Sequence, residues 1–208
     1  MPAMIRSRIY DSLILRLTSG WYAAVLTRLP TGSHMLDVGI GTAGALLANA
    51  NLIKDRQLQV TGIDIDADYV ERALKRLQSS TIAQYTAVHR ESIYDHQGGP
   101  YDVVYFSASF MLLPNPEQAL HHCCELLKPD GRIVFTQTMH KQRSAWTETL
   151  KPMLRRLTSI DFGRVTYEDD FRKQIAVAGL TLEEFTFLER HATRDYCLAV
   201  ATPGKPVG

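Results

Sequence analysis

The chain has 208 residues, of which 45% are hydrophobic and 22% charged, as in one ordinary globular domain. Lys plus Arg number 23 against 22 Asp plus Glu, and a net charge of +1 excludes the strong overall field that draws a protein to nucleic acid, so no DNA partner is expected. Three cysteines, two of them adjacent, argue against a disulfide framework, and no apolar run approaches the roughly 20 residues of a transmembrane segment, so a soluble, cytoplasmic protein is expected.

Residues 1–30 carry Arg6, Arg8, Arg16 and Arg28 against Asp11, mixed with Ile5, Ile9, Leu13, Ile14, Leu17 and Trp21. This reads as an N-terminal helical segment or lid packed beside the active site, with a membrane-surface helix or a transit peptide as alternatives. From residue 31 to 202, short apolar runs alternate with helical patterns, the mark of βαβ units. His34 to Val38 is the first strand, followed by a glycine-rich turn and a helix from Ala43 to Asn51. Gln59 to Asp64 is the second strand. Asp66 caps the next helix, with Val70, Ala73, Leu74 and Leu77 on its core face.

Thr86 to Arg90 is a third strand, and the continuous run Tyr101 to Ser107 is a central one buried on both faces. Asn115 and Pro116 open a helix reaching Leu127, which Lys128 to Gly131 break before the strand Arg132 to Thr136. A helical insertion is expected over 140–160. Thr166 and Asp169 suggest a capping box for a helix ending near Gly179. The last strands, Glu184 to Leu188 and Tyr196 to Ala201, are joined too closely for a crossover helix and must be antiparallel. Pro203 to Gly208 reads as a disordered tail. The expected fold class is therefore α/β: a three-layer sandwich whose mostly parallel, seven-stranded sheet ends in an antiparallel hairpin, with helices on both faces.

The strongest local signal is Leu36-Asp37-Val38-Gly39-Ile40-Gly41-Thr42-Ala43-Gly44, a strand running into Gly-x-Gly-x-x-Gly and then a helix. Such glycines allow a tight turn and close approach of a ligand to the backbone, while the helix start offers unpaired N–H groups. Asp64, at the end of the second strand, stands where a carboxylate accepts both hydroxyls of a ribose. Glu91, just past the third strand, is placed to accept from an adenine amino group, with the Ser92 or Ile93 backbone at the ring edge.

With Gly62-Ile63-Asp64-Ile65-Asp66, Arg90-Glu91-Ser92-Ile93, Tyr101-Asp102-Val103-Val104 and Leu126-Leu127-Lys128-Pro129-Asp130-Gly131-Arg132, the chain resembles the class I S-adenosylmethionine-dependent methyltransferases over residues 33 to 201. The likeness is greatest to the small-molecule, quinone and phospholipid enzymes. It implies S-adenosylmethionine as cofactor. Asp37 would hold the methionine amino group, Gly39 and Gly41 would pass beneath the methionine and ribose, Asp64 would take the ribose hydroxyls, Ile65 would pack on adenine, and Glu91, Ser92 and Ile93 would read its edge. Glu91 stands where the family more often has Asp, and Ile40 stands between the glycines where smaller or polar residues are frequent; its side chain can point into the core. Tyr10-Asp11 resembles the N-terminal Tyr-Asp of the quinone and phospholipid enzymes, where the tyrosine lies over the cofactor.

Methyl transfer is an in-line displacement, and a base is needed only when the acceptor must lose a proton; His140, beyond the fifth strand, is the candidate by position. Ser107-Ala108-Ser109-Phe110-Met111 lacks the Asn/Asp-Pro-Pro-Tyr/Phe signature of amino-directed DNA enzymes and contains no Pro-Cys. Acids are missing from the ends of the fourth and fifth strands, against a catechol-type metal. In His121-His122-Cys123-Cys124 only His121 and Cys124 share a helix face, so no metal site is expected. Acceptor contacts are expected from Tyr10, Trp21, Tyr22, the loop Ser109 to Leu113, Met139, His140 and Trp146, an apolar and aromatic set suited to a small or amphiphilic molecule methylated on O, N or C. The rival readings are a catalytically silent partner subunit of the same fold and an NAD(P)-dependent oxidoreductase.

Overall fold

The computed structural model describes residues 15–141 and 166–204. Tyr10, Trp146 and most of the expected insertion lie outside the described residues. A helix over residues 15–26, α1, precedes strand β1, His34–Val38, and the glycine turn. The single helix expected next is two, α2 (Gly44–Ala48) and α3 (Ala50–Asp55). Asn49 separates them, its side-chain amide donating to the Ala45 carbonyl at 2.8 Å and to the Ser19 carbonyl of α1 at 3.0 Å. A side chain that bonds nearby backbone in this way competes with helix continuation.

Strand β2 (Gln59–Asp64) leads into α4 (Ala67–Gln78), which Asp66 caps through the N–H groups of Asp68 and Tyr69. Val70, Ala73 and Leu77 are buried as expected, but Leu74 is 48% exposed because the stripe facing the sheet is narrower than the pattern suggests. Strands β3 (Thr86–Arg90) and β4 (Tyr101–Ser107) fall at the expected residues. Helix α5 spans Pro116–Leu126 with proline in its first turn; Asn115 precedes it without a side-chain capping bond.

Strand β5 is longer than expected, Leu127–His140. The reason lies in its neighbour: β7 (Arg194–Pro203) runs antiparallel to it and keeps the ladder going to the pair His140 and Arg194. Helix α6, Glu168–Val177, starts after Tyr167 without a side-chain cap, so the Thr166 box does not form. Glu168, Asp169 and Asp170 instead put negative charge in its first turn, where the helix dipole favours it. Strand β6 (Leu180–Arg190) absorbs two register shifts against β7, which extends the hairpin beyond the expected strands and draws Pro203 into it.

The sheet order is β3-β2-β1-β4-β5-β7-β6, with β1 to β5 parallel and β7 antiparallel to both its neighbours. Leu36, Val38, Phe106 and Phe135 share one core with Ala119 and Leu120 of α5 and Phe171 and Ile175 of α6. On the opposite face, Met35, Val60, Tyr105 and Val134 join Tyr22, Val25 and Leu26 of α1 and the apolar face of α4. Helices therefore cover both faces of a seven-stranded α/β sheet, giving three layers.

Candidate active site

From β1 the chain crosses to β2 and β3 on one side, whereas β4 and β5 lie on the other. The switch point is thus between β1 and β4, and an open α/β sheet binds ligands in the crevice beyond the carboxyl ends of such strands. The glycine turn stands there. Gly39 and Gly41 have φ of 80° and 58°, a region that side chains disfavour. The Gly39 and Ile40 N–H groups both donate to the Ile63 carbonyl, which lays the turn against β2. A Cβ on Gly62 would lie 2.3 Å from Ile40 Cδ1, so bare backbone on β2 makes the room that takes Ile40 into the core, at 5% exposure. Ser109, in the segment after β4, packs on Gly39, and its hydroxyl donates to the Val38 carbonyl.

Asp64 tightens this turn. Its Oδ2 accepts from the Gly41 N–H at 2.9 Å and its Oδ1 from the Asp66 N–H at 2.9 Å. Each oxygen keeps a further lone pair for a ligand hydroxyl. Ile65, the next residue, is 72% exposed. Glu91 lies alongside, its N–H donating to the Asp64 carbonyl at 3.0 Å, and its carboxylate meets His96 Nδ1 at 2.7 Å. Ser92 shapes the following turn: its carbonyl accepts from the Asp95 and His96 N–H groups, and Ile93 anchors the segment in the core.

Asp37 is fully buried on β1. Tyr22 of α1 donates its hydroxyl to Asp37 Oδ2 at 2.7 Å, while Oδ1 is buried without a hydrogen-bond partner among the described residues. Loss of hydration, with the Asp64 charge adding to it, outweighs the Tyr22 hydrogen bond and pushes the Asp37 carboxyl up to about 7. Burial first, then the neighbouring Asp37 charge, raises the Tyr22 phenol well above its ordinary value. The tyrosine ring meets Tyr105 edge-on at 5.1 Å, and the Tyr105 hydroxyl pairs with Thr136 Oγ1 at 2.7 Å.

A family model described as a methyltransferase domain matches residues 36–133, the stretch from β1 through the start of β5. Over that stretch the chain is similar to a methyltransferase domain. Curated relatives include the ubiquinone biosynthesis O-methyltransferase of Idiomarina loihiensis, 33% identical over 116 residues, covering 55% of this chain and 46% of that protein. The protein of the same name from Pseudomonas fluorescens is 27% identical over 176 residues, 81% of this chain and 73% of its own length. The chain spans about half the length of the first of these relatives. Among solved structures, the [4+2]-cyclase SpnF aligns with a TM-score of 0.71 at 16% identity, covering 91% of this chain and 81% of its own. A geranyl diphosphate methyltransferase in complex with SAM aligns at 0.70 and 14%, covering 89% and 85%. At these identities the likeness carries the fold.

Several of the residues expected to meet the acceptor are engaged within the fold. Trp21 and Tyr22 are buried at 4% and 3% exposure, Trp21 against the Tyr196 ring and Tyr22 on Asp37, and Met139 is buried at 3%. Met139 packs with Phe135 and Phe171 in the core. His140 ends β5, half-buried, with its N–H donating to the Thr166 carbonyl. Phe110, Met111 and Leu113 border a groove of about 820 Å³ between α5 and α6, whose far wall includes Lys173 and Val177. The helix residues His121 to Cys124 diverge: Cys123 is buried in the core, while His122 bonds the His96 carbonyl. Tyr22, His96 and Ser109 were not assigned these partners from sequence. No motif signals them, since the Tyr22 and Ser109 contacts are long-range and a histidine five residues past an acid is common.

Proposed function

We propose that this protein transfers the methyl group of S-adenosylmethionine to a small-molecule acceptor. The observation that carries the reading is Asp37 Oδ1, a buried carboxylate oxygen beside the glycine turn without a partner among the described residues. Such an atom is costly unless a ligand satisfies it, and an ammonium group, as on the methionine moiety, is the complementary donor. In this reading Gly39 and Gly41 underlie the methionine and ribose, Asp64 accepts the ribose hydroxyls, the exposed Ile65 covers the adenine, and Glu91 with the Ser92 and Ile93 backbone reads its edge. The cofactor, when bound, supplies a methyl group already activated on a cationic sulfur. The protein's task is then alignment and exclusion of water rather than covalent chemistry.

The acceptor side rests on Phe110, Met111 and Leu113, whose apolar character suits a small or amphiphilic molecule. The relatives named O-methyltransferases support oxygen as the accepting atom. For an acceptor that loses a proton, His140 is the base this reading offers, with Tyr10 as a further contact over the cofactor. His140→Ala then lowers kcat by about 100-fold, the usual scale of acid–base catalysis, and leaves cofactor affinity unchanged. Among the described residues no helix is long and apolar enough to cross a membrane, which agrees with an acceptor met at the crevice rather than within a bilayer.

Isothermal titration with S-adenosylhomocysteine tests the reading. Saturable heat at micromolar ligand, lost in Asp37→Ala, supports it. Absence of that heat, with heat from NADH in its place, overturns it in favour of an oxidoreductase.

A further inference from the structure

Behind Glu91 stands a buried relay. Glu91 Oε2 lies 2.7 Å from His96 Nδ1, and His96 Nε2 lies 2.8 Å from the Tyr101 hydroxyl. The His96 side chain is only 5% exposed, against 31% for Glu91, so the histidine sits inside and the carboxylate reaches outward. The two rings stack with centroids 5.8 Å apart. The His96 carbonyl is itself fastened by His122 of α5, whose Nε2 lies 2.7 Å away. Space above the pair is closed as well: a Cβ on Gly98 would come within 2.5 Å of both His96 Nε2 and the Tyr101 hydroxyl oxygen.

The chemistry of the pairings sets their direction. An ionised carboxylate only accepts, so the proton on the histidine ring is at Nδ1, and Nε2 then accepts from the Tyr101 O–H. One carboxylate oxygen is thus spoken for, and the other, Oε1, has no partner among the described residues. A glutamate has three rotatable bonds to order, and a brace that orders them beforehand removes that cost from ligand binding.

We propose that His96, braced by Tyr101, is a positioning residue for purine selection: it fixes one oxygen of Glu91 so that the other meets a hydrogen-bond donor on the six-membered edge of an adenine. This rests on the methyltransferase reading above and adds the selectivity to it. A held, acceptor-only group welcomes the exocyclic amino group of adenine and opposes the carbonyl that replaces it in hypoxanthine. A site built to bond one polar group rejects the analogue that cannot supply it.

The experiment measures dissociation constants of S-adenosylhomocysteine and S-inosylhomocysteine, which differ only at that edge, for the full chain and its variants. The expected wild-type ratio is about 30-fold in favour of adenine, the size of one charge-assisted hydrogen bond. In His96→Leu the ratio falls to within about threefold, because a loose glutamate turns to suit either ring. His96→Asn retains an N–H for Glu91 and keeps most of the ratio. Tyr101→Phe keeps the ring and its stacking, gives an intermediate ratio, and decides the matter alone if His96→Leu does not fold. An unchanged ratio in the folded variants, equal weakening of both ligands, or a wild-type ratio near one overturns the proposal. If the wild-type chain binds neither compound, the methyltransferase reading itself has failed.

Discussion

Asp37 gives the sharpest test, because its two oxygens live in different circumstances: one takes the Tyr22 hydroxyl and the other is buried without a partner among the described residues. Its carboxyl, pushed up to about 7 chiefly by loss of hydration, is half protonated in the free protein at neutral pH. A ligand ammonium binds the ionised form, so binding must expel that proton. Lowering the pH from 7 to 5.5 cuts the ionised fraction from about one half to about 3%, and affinity for S-adenosylhomocysteine should fall by about 16-fold, or ~1.6 kcal/mol. Titration calorimetry in two buffers of different ionisation enthalpy, run at pH 7, should show about half a proton released per ligand bound. Tyr22→Phe removes the one hydrogen bond that lowers this carboxyl, so the decline should begin at higher pH than in wild type. Affinity that stays flat from pH 7 to 5.5, with no buffer-dependent heat, refutes the assignment of Asp37 as the counter-ion.

The same acid sets a stability prediction. Its folded value lies above the unfolded 3.8, so the native state holds the proton more tightly; the penalty is absent below the unfolded value, grows as pH rises toward 7, and is complete above it. Asp37→Asn should therefore raise the unfolding free energy, read by urea titration, more at pH 8 than at pH 4, by at most about 4 kcal/mol, while abolishing cofactor binding. Asp64→Ala loses the ties to the Gly41 and Asp66 N–H groups as well as the proposed ribose bonds, and should weaken S-adenosylhomocysteine binding by about 2 kcal/mol or more, read by calorimetry. Gly62→Ala forces Ile40 out of its place and should cost about 1–3 kcal/mol in urea unfolding, with recovery when Ile40 is cut to Ala in the same chain.

Strands β1, β2 and β4 were legible because each carries a short apolar run bounded by turn residues, and the antiparallel end because the last connection is too short for a crossover. Asp66 as a cap follows from local stereochemistry alone. What sequence hid was decided by partners distant in the chain. β5 runs on to His140 only because β7 keeps pairing with it, and the helix after the glycine turn breaks because Asn49 finds the Ser19 carbonyl. Asp64 and Glu91 were marked by their places at the strand ends and Asp37 by the family resemblance, and the structure sets Asp64 on the Gly41 N–H and Glu91 on the Asp64 carbonyl. Their supports, Tyr22 and His96, carry no pattern, since one arrives from 15 residues upstream and the other is a single buried ring.

The phenol that steadies Asp37 belongs to residues 15–26, ahead of the 36–133 stretch that defines the domain by likeness. A fragment trimmed to that stretch would keep every glycine and acid of the crevice yet leave one wall of the acid's chamber missing, with water admitted to a carboxylate that the intact chain keeps dry. A fragment meant to keep that carboxylate dry should therefore carry residues 15–26 as well as the 36–133 stretch.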